Sequence, residues 1–202
     1  MRQPTVVLFL FLLTSCTSTV SFDVRVDAIS SPTYEASSKT FTVIPGEGTS
    51  ADLQFEEYRA ALTSALESEG FLNSEGSTKT DLLIRLSYGI GNPETINETY
   101  STPQVKLYKR GTPAKDKTTT YQTHSRTLTT YNRYAVVSAY VFSEDQGQEL
   151  TQLWQTTITS TGSSGDLRRV FPFLMKGAQG YFGINTGQQI QIFVQEDSGE
   201  AK

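Results

Sequence analysis

Reactive side chains are scarce in this sequence, and the two strongest occur once each. Cys16 is the only cysteine and His124 the only histidine. A serine nucleophile needs a base that titrates near neutral pH, most often a histidine. His124 lies in Thr123-His124-Ser125, a polar stretch of strand character, and reads as a solvent-facing residue. No Gly-x-Ser-x-Gly elbow accompanies it, and Gly162-Ser163-Ser164-Gly165 reads as a loop. Zinc and copper sites want clustered imidazoles and thiolates, which one histidine and one cysteine do not supply. Of the acidic pairs, Glu56-Glu57 falls on a helix, where neighbours point apart, and Glu144-Asp145 falls in a turn. Gly177, Gly180 and Gly183 lack the strand and lysine of a phosphate-binding loop. They read as close helix packing or as a helix end. The chain is expected to use no cofactor or metal and to catalyse no reaction.

Cys16 has other chemistry open to it. Met1-Arg2 is a short basic start, Val6 to Leu13 is unbroken apolar sequence, and Leu13-Thr14-Ser15-Cys16 follows. That is the layout of a secretory signal peptide. The apolar run is shorter than the roughly 20 residues a spanning helix needs. Its last four residues resemble the lipobox of bacterial lipoproteins. The resemblance implies cleavage between Ser15 and Cys16 and diacylation of the sulfur. Two acyl chains give stable anchoring where one is marginal. Thr17 in the second mature position implies the outer membrane, on its periplasmic face. An ordinary cleaved leader with a leftover thiol is the alternative. The expected organisation is a signal peptide at 1–15, a lipidated cysteine with a short tether at 16–19, one domain at 20–195 and a tail at 196–202.

The elements behind these residues follow from periodicity. Val20 to Asp27 alternates apolar and polar, as a half-buried strand does. Lys39–Ile44 is a second strand, ended by Pro45-Gly46. Between Asp52 and Glu69, Phe55, Tyr58, Leu62, Ala65 and Leu66 form one helical stripe, with Ser50 as N-cap and Gly70 as the left-handed stop. Thr80–Tyr88 reads as a central strand broken by Gly89, Gly91, Asn92 and Pro93. Gln104–Tyr108 and Thr118–His124 flank a turn at Gly111-Thr112-Pro113, and Arg133–Phe142 and Leu150–Ile158 are further antiparallel strands. Asp166–Phe182 is a second helix with Pro172 inside it, either kinked there or starting there. Gln188–Gln195 closes the chain as a strand. The fold class is α+β: an antiparallel or mixed sheet with two helices packed on one face.

Charge excludes one partner class. The chain carries a net charge of −4, and removing Arg2 with the leader leaves 16 basic residues against 21 acidic. Nucleic-acid binding favours basic domains. The region 100–140 is the exception. It gathers Tyr100, Tyr108, Tyr121, Tyr131, Tyr134 and Tyr140 with Lys106, Lys109, Arg110, Lys115, Lys117, Arg126 and Arg133. Aromatics interleaved with cations suit glycans, anionic headgroups or an extended peptide. Tyrosine and threonine are also good strand residues, and lysine protects a sheet edge from aggregation. The candidate partner-binding set is Lys106, Tyr108, Lys109, Arg110, Lys115, Lys117 and Tyr121.

Three segments carry a family pattern: Lys39-Thr40-Phe41 with Phe55–Phe71 and Asp81-Leu82-Leu83-Ile84; Leu153-Trp154 after Gln146-Gly147; and Arg168–Leu174 leading to Gly183–Gly187. Over residues 20–195 they resemble the bacterial envelope lipoproteins catalogued as domain of unknown function 4136. The resemblance implies a lipoprotein domain and brings no catalytic residues. In architecture the helix-then-strand portion also looks like periplasmic assembly lipoproteins of the lipopolysaccharide-transport and Tol types. The expected function is a membrane-anchored, non-enzymatic binding or assembly module with an envelope protein or glycan partner. A small periplasmic hydrolase, or a structural lipoprotein touching cell-wall glycan, is the alternative.

Overall fold

The computed structural model describes residues 21–35, 39–74, 80–104, 119–143 and 149–196. The protein is α+β, with two helices and a mixed sheet among these residues. In chain order the elements are β1 (Ser21–Ser30), β2 (Thr40–Pro45), α1 (Leu53–Ser68), β3 (Leu72–Asn73), β4 (Leu82–Ile90), β5 (Glu94–Gln104), β6 (Thr120–Ser143), β7 (Glu149–Gly162), α2 (Leu167–Ala178) and β8 (Ile190–Gln195).

The sheet runs β3-β2-β4-β6-β7-β1-β8, with β5 pairing β6 off that path. The pairs β2/β4 and β2/β3 are parallel and the others antiparallel. The helix between β2 and β4 explains the parallel pair, since a crossover returns the chain to the same end of the sheet. Alternation decides which side chains enter the core. Phe22, Val24, Val26 and Ala28 of β1 are buried, as are Leu82, Ile84 and Leu86 of β4 and Ala135, Val137 and Ala139 of β6.

Helix α1 starts two residues later than its expected cap. Asp52, not Ser50, accepts the Phe55 N–H at 2.9 Å. Its expected stripe is the buried one. Gly70 has φ +89°, and the Phe71 N–H then reaches the Leu66 carbonyl at 3.2 Å, folding buried Phe71 back over the helix end. Helix α2 runs through Pro172 unbroken, with Asp166 as its N-cap. Gly177 lets it lie close on β1: a Cβ there would sit 2.7 Å from Val24 Cγ1. Tyr58 stacks on Phe171 with ring centroids 4.2 Å apart, and Tyr88 meets Tyr58 edge-on at 4.6 Å. Such pairs add about 0.5–1.5 kcal/mol each beyond the area they bury. Trp154 lies fully buried between Phe71 and Phe182.

Two strands depart from expectation. β5 covers a stretch, 94–103, to which no element was assigned, and β6 is one strand of 24 residues where separate segments were expected. The last part of β6 (133–140) pairs with β4 and its first part (120–130) with β5. The first half of β6 and all of β5 therefore form a two-stranded ribbon that continues out of the sheet.

Candidate functional site

Every residue of β5 is exposed, so no core accounts for the ribbon. Eleven paired residues at about 3.4 Å each give it a length of roughly 35 Å. Isolated two-stranded ribbons are marginal in water. This one borrows its rigidity from β6, whose far half is fixed in the sheet.

Register sorts the ribbon into two chemically different faces. One carries Ile96 opposite Leu128, Glu98 opposite Arg126, Tyr100 opposite His124, and Thr102 opposite Gln122. Tyr100 stacks on the His124 ring at 5.3 Å, and the Arg126 guanidinium lies 6.0 Å from the Tyr100 ring while bonding Glu98 at 2.7 Å. The other face carries Thr95, Asn97, Thr99 and Ser101 opposite Thr129, Thr127, Ser125 and Thr123. It is a ladder of short hydroxyl and amide groups, with Thr127 donating to Asn97 at 2.8 Å. Cross-strand pairs of this kind are worth about 0.2–1 kcal/mol each.

The expected site residues divide by position. Tyr121 is on the ribbon, 67% exposed, opposite Pro103. Lys106, Tyr108, Lys109, Arg110, Lys115 and Lys117 lie outside the described residues, in the segment that joins β5 to β6 in sequence. Ser15, Cys16 and the acidic pair Glu144-Asp145 are outside them too.

His124 stands on an open ribbon face, where its Nε2 and the Thr102 hydroxyl are 3.1 Å apart. Among the described residues no carboxylate orients the ring as a catalytic base requires. A hollow of about 380 Å³ beside it is lined by Glu98, Thr99, Tyr100 and Arg126. Glu56 and Glu57 are both tied, the first to Arg59 and the second to Arg168 of α2 at 2.8 Å. Among the described residues no cluster of three or more His, Cys, Asp or Glu could hold a metal ion. No helix among them is long and apolar enough to cross a membrane.

The structure covers two titratable groups more than their sequence positions suggest. Arg133 is buried, and burial lowers its pKa. Glu69, at the end of α1, accepts the Gly180 N–H at 2.7 Å, and burial raises its pKa to about 7. Arg133 had a signal in the sequence: it shares parity with Ala135, Val137 and Ala139, the inward positions of its strand. Nothing near Glu69 in sequence hints at α2 covering it.

No protein-family model matches the chain, nor does any curated protein.

Proposed function

We propose that the protein is a lipid-anchored envelope lipoprotein of the domain of unknown function 4136 type, acting as a non-enzymatic binding or assembly module. Cys16 carries the acyl chains, and the domain works at the periplasmic face of the outer membrane. Both helices cover one face of the sheet. The ribbon β5–β6 and the basic segment that follows β5 engage an envelope protein or glycan.

The observation that carries this reading is the exposure of every residue of β5 and of most of its partner stretch in β6. A strand pair that buries so little gains little from folding by itself, and its Tyr100–His124 stack, flanked by the Glu98–Arg126 pair, offers the aromatic and polar surface that sugars and extended peptides use. That no carboxylate among the described residues orients the lone imidazole weighs against the hydrolase alternative. The test replaces Lys109, Arg110, Lys115 and Lys117 together with Glu. Capture of envelope material from detergent extracts should fall at least several-fold while the melting temperature stays unchanged. Unchanged capture removes the basic segment from the reading. Mass spectrometry of membrane-purified protein tests acylation at Cys16 separately.

A further inference from the structure

A buried guanidinium marks a second site, where β6 leaves the ribbon and enters the sheet. Arg133 is 2% exposed and lies in register with Ser160, which pairs in turn with Val24 of β1. Its Nε donates to the Ser160 carbonyl at 3.3 Å, its Nη2 to the Ser160 hydroxyl at 3.2 Å and its Nη1 to the Ser164 carbonyl at 3.1 Å. All three acceptors are neutral. Among the described residues no carboxylate pairs with it. A guanidinium has five N–H donors, so one on Nη1 and one on Nη2 remain unspent. A buried cation in that condition is costly unless an anion joins it.

Space for the anion adjoins it. Arg133 lines a cavity of about 180 Å³ together with Phe22, Asp23, Ser163, Ser164 and Arg169. Gly162 also lines it, and a Cβ there would come within 2.8 Å of Arg133 Nη2. Arg169 adds a second guanidinium, held by Glu196 at 3.2 Å. Asp23 opposes them, with one carboxylate oxygen 3.5 Å from Arg25 and the other shielded from water without a partner. With their partners counted, three guanidiniums (Arg25, Arg133, Arg169) stand against two carboxylates (Asp23, Glu196), and the single excess positive charge favours a ligand with a single negative charge. The volume suits a small group, well below the roughly 300 Å³ at which drug-sized pockets begin. Ser21 lines the same cavity and lies five residues after Cys16, at most about 18 Å of extended chain.

We propose that this cavity binds the monoanionic phosphodiester of a phospholipid headgroup, with Arg133 as the buried donor and Arg169 at the rim. The choice of a lipid as the source rests on the anchored reading; the anion site itself does not. The test uses the full chain in micelles of an uncharged detergent and follows the melting temperature. Doping the micelles with phosphatidylglycerol should raise it saturably, and so should soluble glycerophosphoglycerol. Arg133→Met, which keeps bulk and removes charge, should weaken both responses at least tenfold. Arg169→Gln, a surface change that leaves the fold intact, should weaken them several-fold and decides the matter if the first variant does not fold. Absent or variant-independent stabilisation overturns the site. Stabilisation by the soluble headgroup alone overturns the lipid source, and equal stabilisation by acetate overturns the phosphodiester. Acylation at Cys16 is read independently by mass, so a failed anchor and a failed pocket give different results.

Discussion

Replacing Glu69 with Gln should stabilise the protein near pH 8 and leave it unchanged near pH 4. The carboxyl sits between the C-terminal ends of α1 and α2. Burial raises its pKa from 4.5 to about 7, against the opposing pull of the Gly180 and Phe182 N–H groups. In the unfolded chain it titrates at its ordinary value, so between the two pKa values the folded state binds the proton more tightly. The stability this group lends is complete below pH 4.5 and is lost as the pH climbs through 7. At about 1.4 kcal/mol per unit the shift corresponds to roughly 3 kcal/mol. Glu69 keeps some access to water, which reduces the expected effect to about 1–2 kcal/mol. Glutamine retains an acceptor for the Gly180 N–H and never ionises. Urea unfolding of both proteins across this pH range gives the difference directly. The gap should be near zero in acid and open to about 1–2 kcal/mol in favour of the variant on the alkaline side. A gap that is constant with pH, or one that turns against the variant as pH rises, refutes the reasoning.

Leu174→Ala removes a fully buried side chain from α2 and should cost about 2–5 kcal/mol in chemical unfolding. Gly177→Ala should cost about 1–3 kcal/mol, because its new methyl meets Val24 at 2.7 Å. Adding Val24→Ala to that variant should recover part of the loss in a double-mutant cycle, and strict additivity would refute the contact.

Where burial imposes a period, the sequence was readable. The alternation in β1 and the stripe of α1 appear in the structure because a core filters their residues at every second, or every third and fourth, position. β5 was missed for the converse reason: with both faces wet, its side chains carry no periodic signal, and its pairing is set by backbone bonds to β6. The parallel pairing of β2 with β4 joins segments some 40 residues apart, beyond any local pattern. Ser50 and Asp52 are equally good caps by type; geometry at Phe55 chose the second. Of the candidate site, Tyr121 was found by composition, whereas Arg133 was counted among surface cations because its register was not yet known.

The continuity of β6 has a mechanical consequence. A strand that begins in solvent at Thr120 and ends between β4 and β7 acts as a stiff beam clamped along half its length. A tug along it loads the rungs between it and both neighbours in shear, so that many must give together rather than one after another. Tension delivered at Thr120 thus passes along one strand into the rungs at the middle of the sheet.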